Sequence, residues 1–359
     1  MDSTAEYRMR QQALTQHPYA APADVVRFMG AVQAQEYPAS LWSLGLRLPG
    51  WTAAEAEAEL NAHAYIRTWL LRGTLHYVAP EDIGWMLALL GPAVISGQTR
   101  RHRELALDQP TLERSAELLH GALADGNILT RPQLFAALEQ HGISTAGQRG
   151  VYMLSYASLR GLIAQVAPRG RDTAFFALPE TGLYPGRRVD DPLSALARRY
   201  FFSHGPASLD DYVWWSGLKK SDAEAGFEAA RRELVSDRNG GRPLWRAPEI
   251  PPAEADAPNA HLLPAYDEYL IGYKDRSASV EPVHLPRVQM ANGLGATVIL
   301  AGRVIGTWRR NVRQSGITIE AAPFAPWSEA DTELVAHAAE RYGAFFGKRA
   351  TLNAQSASD

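Results

Sequence analysis

The pattern of apolar and polar positions changes character once along this chain. Through about the first two-thirds, apolar residues gather into helical segments opened by capping boxes, a Ser or Thr followed three residues later by an acid or amide. Thr52/Glu55 opens TAAEAEAELNAHA. Thr130/Gln133 opens TRPQLFAALEQHG, with Pro132 tolerated in the first turn. Ser208/Asp211 opens SLDDYVWWSG and Ser221/Glu224 opens SDAEAGFEAARREL, a helix expected over 221–236. After Pro258, β-branched residues and glycine turns take over. ATVILAGRVIGTWRRN and GITIEAAPF read as strands, with Gly302 in a hairpin turn. Ser328/Asp331 opens a closing helix over about 329–347, and TLNAQSASD reads as a disordered tail.

The helical part repeats at the level of pattern. Residues 22–80, 111–178 and 190–246 each read as a helix, a short second element, a turn and another helix. A β-hairpin or its turn follows: YIRTWLL with TLHYV, IAQVAPRGRDTAFFAL, and RNGGRPLW. Helix-turn-helix followed by a two-stranded wing is the winged-helix unit. The expected fold is therefore α+β and mainly helical: three tandem winged-helix units, then a C-terminal β-barrel or curled sheet with a terminal helix. The expected boundaries are 1–108, 109–188 and 189–250 for the units, 251–350 for the barrel domain and 351–359 for the tail.

Composition narrows the class. The 359 residues, 46% hydrophobic, suffice for two or three domains. The absence of cysteine excludes disulfides and thiolate metal sites and fits a cytoplasmic setting. The polar start MDSTAEYRMRQQAL lacks the apolar core of a signal peptide, and no apolar run reaches the roughly 18 residues of a membrane span. The net charge of −3 weighs against a dedicated nucleic-acid binder. Its distribution weighs the other way. Arginines cluster at Arg100, Arg101 and Arg103, at Arg169 and Arg171, at Arg187 and Arg188, and at Arg309, Arg310 and Arg313, whereas acids concentrate in 53–60 and 247–258. The arginine, alanine and glycine bias suggests a GC-rich bacterial genome.

Familiar catalytic signatures are missing. There is no His-x-x-x-His pair and no Gly-x-Ser-x-Gly elbow, and ANGLGA (291–296) lacks the Lys-Ser/Thr of a phosphate loop. The paired acids Asp267 and Glu268 of YDEY read more readily as caps and surface charges in a turn than as catalysts. TRRHR (99–103) follows the glycine and proline expected to end a helix, and reads as a solvated loop or as phosphate contacts. Gln33 and Gln35, in FMGAVQAQEYPASLWSLGLRL, read on their own as backbone hydrogen-bonding groups at a helix end. An amide is neither a strong acid nor a strong base.

Three segments together resemble the winged-helix DNA glycosylase family in its AlkZ-type branch: VQAQEYPASLWSLGLR, RTWLLRGTLHYVAPEDIGWML (67–87) and LLPAYDEYLIGYKDRS (262–277). The resemblance spans nearly the whole chain. It implies that Gln33 and Gln35 are the catalytic pair, since that branch carries Gln-x-Gln where a broad-specificity relative carries Gln-x-Asp. It also implies a monomeric enzyme acting on double-stranded DNA that contains alkylated guanine; no cofactor is expected, and the histidine spacing leads to the expectation of no metal. The implied substrates are bulky N7-alkylguanine adducts, interstrand cross-links among them, and the implied role is self-resistance in a producer of a DNA-alkylating antibiotic. DNA contacts are expected from Arg67, Arg72 and His76 on the first wing, from Arg100, Arg101 and Arg103, and from Arg303 and Arg309 in the C-terminal strands. Tyr37 and Trp42 would shape the pocket or pack in the core.

Physical chemistry makes an amide pair plausible. N7 alkylation leaves the base positively charged, so it departs neutral without being protonated. What remains is to place a water near C1′ and to face the oxocarbenium-like sugar with partial negative charge, which two carbonyls can do. Bulky adducts resist flipping, and a shallow cleft reading the minor groove avoids that cost. The four lysines, Lys219, Lys220, Lys274 and Lys348, all lie far from the glutamines in sequence, which argues against a Schiff-base lyase. The rival reading is a non-enzymatic winged-helix transcription regulator or drug-sequestering DNA-binding protein. Its candidate recognition helices, 145–163 and 221–236, show no face rich in base-reading residues.

Overall fold

The computed structural model describes residues 3–179, 189–237, 242–249, 259–291 and 293–354. Arg187, Arg188, the acidic stretch 251–258 and the last five residues of the expected tail lie outside the described residues. Four of the expected capping boxes form, at Thr52, Thr130, Ser208 and Ser328. Each is closed within four residues, so local sequence suffices to set it. The fifth does not: that helix runs Lys220–Ala230 from a Lys219 cap, and the expected continuation to 236 gives way to a 3₁₀ turn and a strand at Val235–Asp237.

The expected helix break at Gly91 and Pro92 is also absent. One helix runs Ile83–Gly97 with Pro92 inside it, and TRRHR sits in the next helix, Thr99–Glu104, rather than in a loop. Gly91 serves packing instead. A Cβ there would lie 2.7 Å from the Leu159 carbonyl oxygen, so only glycine lets the two segments approach this closely.

The architecture is α+β, with two main sheets. The first has six strands in the order Val32–Gln33, Leu75–Val78, Ile66–Trp69, Ile163–Arg169, Asp172–Ala177, Leu129–Thr130. The hairpins of the first two repeats thus join edge to edge, through Arg67 opposite Gln165. The third hairpin, Val235–Asp237 with Leu244–Arg246, forms its own two-stranded sheet.

The second main sheet runs Ala350–Ala354, Gly316–Pro323, Arg303–Arg313, Thr297–Leu300, Ala260–Leu263. Among the described residues no pairing joins its two outer strands, so it is an open sheet rather than a closed barrel. Residues 351–354, expected to be disordered, instead add a parallel edge strand to Gly316–Pro323. That neighbour alternates buried and half-buried positions along its length, and Ile317, Ile319 and Ala321 meet Val335, Ala338 and Tyr342 of the helix Glu329–Phe345.

The same core takes in Leu41, Trp42 and Leu46, from the segment just after the glutamines. Trp42 donates its indole N–H to the Leu262 carbonyl at 2.7 Å and packs on Tyr342 and Phe345. It is a core residue, and it ties the glutamine segment to the C-terminal sheet.

Candidate functional site

The glutamine motif occupies a short crossing between two helices. The helix Pro22–Met29 ends at Gly30, whose φ of 79° lets the chain turn sharply. Two residues, Val32 and Gln33, then form an edge strand of the six-stranded sheet, and the helix Tyr37–Gly45 begins with Pro38 in its first turn. Gln33 is therefore a strand residue, not a helix-end residue.

The two glutamines are held differently. Gln33 is buried, 7% exposed. Its main-chain N–H donates to Glu268 Oε1 at 2.8 Å, and its side-chain Oε1 has no protein partner. Gln35 is exposed, and its Oε1 accepts the Leu75 N–H at 3.2 Å. Between them Ala34 bonds Leu75 through its N–H and receives Arg67 on its carbonyl, from Nε at 3.0 Å and Nη2 at 2.7 Å.

Arg67, Arg72 and His76 come together beside this crossing. Arg67 is 4% exposed and bonds Gln165 as well as Ala34. Arg72 takes a left-handed φ of 56° and donates to the Trp215 carbonyl. His76 is fully buried and stands opposite Gln33 in the antiparallel pair. Its Nδ1 lies 2.9 Å from the Thr74 carbonyl. Burial, and then the Arg72 guanidinium, push the His76 pKa down to about 4. Arg67 and His76 thus sit inside the protein, away from any surface a phosphate reaches.

Behind Gln33 lies a carboxylate that the sequence reading set aside. Glu268 is completely buried, and its Oε2 accepts both His204 Nε2 and Trp215 Nε1 at 3.1 Å. Burial raises the pKa of this carboxyl, but the His204 hydrogen bond and nearby positive charge, including Arg72, bring it below its ordinary value. Asp267 is buried too. It caps the short helix Glu268–Ile271 and receives both terminal nitrogens of Arg47, at 2.9 and 3.0 Å, and the Ser43 hydroxyl at 2.7 Å. The acids of YDEY are therefore interior ligands of the glutamine segment, not surface charges in a turn. The sequence signal was present in the adjacent acids set within aromatic residues; their partners were not.

The remaining arginines lie on the surface. Arg100 and Arg101 both pair with Glu104, Arg101 also meets Gln148, and Arg103 is exposed. Arg303 is exposed at the start of its strand, just after the Gly302 turn, and borders a hollow with Arg8, Arg242 and Lys274. Arg309 is 76% exposed and pairs with Glu320 at 2.6 Å. Its neighbour Arg310 reaches Glu36, next to Gln35, at 3.7 Å. Both border a cavity of about 350 Å³ lined with Trp42, Met290 and Trp308. Arg309 is thus near the motif, whereas Arg100, Arg101 and Arg103 share another element.

Among the described residues no helix is long and apolar enough to cross a membrane. Comparisons with known proteins converge. A family model described as DNA glycosylase AlkZ-like matches residues 26–345. A Streptomyces sahachiroi protein described as an interstrand DNA cross-link repair glycosylase is 26% identical over 326 residues, spanning 84% of this chain and 85% of that protein. The solved structure of Streptomyces sahachiroi DNA glycosylase AlkZ matches with a TM-score of 0.77 at 21% identity, over 99% of this chain and all of that one. The structural likeness speaks for the fold.

Proposed function

The chain belongs to the AlkZ-like DNA glycosylase family, and from that premise we propose that it hydrolyses the N-glycosidic bond of bulky N7-alkylguanine adducts in double-stranded DNA, with Gln33 and Gln35 as its catalytic residues. The observation that carries this reading is the asymmetry of Gln33. Its main chain is fixed on a buried carboxylate while its side-chain carbonyl is left without a protein partner. A fixed, unspent carbonyl suits a task that requires partial negative charge and water orientation rather than proton transfer to the base. As the bond from C1′ to the cationic base breaks, its electron pair leaves with the base, and the water held by Gln33 meets the electron-poor C1′. Gln35, with Oε1 on Leu75, offers its amide N–H groups to a phosphate.

In the same reading the three helix-and-hairpin repeats act as winged-helix units around the duplex. Arg100, Arg101, Arg103, Arg303 and Arg309 contact the backbone, and Arg67, Arg72 and His76 shape the site from within. The cross-link repair in the name of the Streptomyces relative supports interstrand cross-links as substrates. Self-resistance to a genotoxic product is the role that completes this reading. A monomer acting on DNA in the cytoplasm completes the proposal. Family membership favours this enzyme over the regulator.

The test is base release from a duplex carrying a defined N7-alkylguanine, for wild type, Gln33→Ala and Gln35→Ala. Release by wild type that collapses in both variants, with duplex affinity retained, is expected. Tight binding without release, even of bulky adducts, overturns the proposal.

A further inference from the structure

An apolar hollow opens beside the proposed catalytic pair. The chain leaves Gln35 through Glu36, and Glu36 borders the cavity of about 350 Å³ that Arg309 and Arg310 also border. This cavity is reached from solvent: Glu36, Met290 and Arg309, all on its border, are exposed. The Arg310–Glu36 pair, 3.7 Å apart, ties the glutamine segment to the strand Arg303–Arg313 at the same border. The hollow is therefore held at a fixed place relative to the glutamines.

Its lining is aromatic, and the polar atoms of the rings are engaged. Tyr342 meets Trp42 edge-on at 5.1 Å and Trp308 at 5.2 Å, and all three line the cavity. The Trp42 and Trp308 indole N–H groups are spent on the carbonyls of Leu262 and Leu263, at 2.7 and 2.8 Å. The Tyr342 hydroxyl accepts Arg310 at 2.7 Å. Small residues leave the space open: Ala39, Ala265 and Ala296 border it where a larger side chain would fill it. At Gly295 a Cβ would stand 3.3 Å from Met290 Sδ, so glycine leaves the thioether room along the wall. A hollow of this size and lining suits a flat apolar group. A phosphate or the edge of a nucleobase would leave its hydrogen bonds unmet there.

We propose that this hollow is a subsite for an apolar aromatic arm carried on N7 of the adducted guanine. This rests on the proposed function and names the part of the lesion that is recognised. A single carbon separates N7 from the glycosidic nitrogen, so an arm on N7 leaves the base close to C1′. With C1′ at the glutamines and the hollow starting at the next residue, the arm lies within its reach. An aromatic arm packs against Trp42, Trp308 and Tyr342, and Met290 adapts to its outline. Binding energy from a group that does not react then holds C1′ against the glutamines. A methyl adduct gains none of this, so the hollow selects bulky lesions over N7-methylguanine.

The experiment compares two duplexes, one carrying N7-methylguanine and one N7-phenethylguanine. Base release, each rate taken over its enzyme-free background, and duplex affinity are measured for wild type, Ala265→Leu and Met290→Ala, with thermal unfolding alongside. Ala265→Leu fills the hollow. Met290→Ala removes an exposed wall and carries the test where the leucine variant does not fold. Wild type is expected to prefer the phenethyl adduct by roughly tenfold or more, and both variants are expected to lose most of that preference. The ratio of the two substrates within one variant cancels any general loss of activity, which a merely structural role would produce. Equal handling of the two adducts by wild type overturns the proposal, as does a wild-type ratio in the folded variants. If wild type releases neither base, the reading of the glutamines fails and affinity still decides the subsite. Tighter binding of the phenethyl duplex that both variants erase upholds it, and equal affinities remove it.

Discussion

Gln33 is joined to Glu268 through its main chain, 2.8 Å from N–H to Oε1, across 235 positions of sequence. The same carboxylate binds His204 and Trp215. One buried acid thus locks the motif strand to two helices of the third repeat. With its backbone N–H held in this way, the side-chain Oε1 of Gln33 is left without a protein partner.

Removing that acid should be costly. Glu268→Ala strands three donors in the interior and is expected to destabilise the protein by about 3–5 kcal/mol. Glu268→Gln keeps one acceptor and should cost less. Base release should fall in both. Urea unfolding with single-turnover assays checks this; a stable, fully active Glu268→Ala would refute the locking role.

Arg47 and Asp267 form a second buried tie, each about 1% exposed at the side chain. Arg47→Met leaves the carboxylate unpaired, at an expected cost of about 3–5 kcal/mol. Arg47→Met combined with Asp267→Asn should regain part of that loss. A denaturant-based double-mutant cycle measures the coupling.

Acid should weaken the fold through two buried histidines. Burial and neighbouring positive charge push His76 down from 6.5 to about 4, and burial followed by Arg341 pushes His261 down to about 3. In both, the unfolded chain binds the proton more readily than the folded one. Stability from these groups is complete above pH 6.5 and is lost as pH falls toward the folded values. Between pH 6.5 and 5 each should cost about 2 kcal/mol. Unfolding midpoints at the two pH values, compared with those of His261→Phe, test the sign and the source.

Salt dependence separates surface arginines from buried ones. Arg309→Ala should weaken duplex binding and lower the slope of log affinity against log salt by about one. Arg67→Ala should leave the slope unchanged and reduce stability and base release, because its guanidinium serves the Ala34 carbonyl. Filter binding across a salt series distinguishes them. An unchanged slope for Arg309→Ala would remove it from the phosphate contacts.

The boxes at Thr52, Thr130, Ser208 and Ser328 were legible because each is completed by its own third neighbour. The alternation of Gly316–Pro323 was legible because a strand with one buried face repeats every second residue. The Gln-x-Gln motif stood out for the same local reason: it lies within three residues.

Tertiary structure decided the rest. Pro92 looks like a helix end until Gly91 is seen against Leu159, and residues 351–354 look like a loose tail until they find Gly316–Pro323. Asp267 and Glu268 read as surface acids because sequence shows charge but not the Arg47, His204 and Gln33 that surround them. By itself the sequence determined helix starts, strand periodicity and the α+β class, all properties of neighbouring residues. Burial and pairing, such as Gln33 opposite His76 and its N–H on Glu268, depend on segments distant along the chain meeting in space, and only the folded structure brings them together.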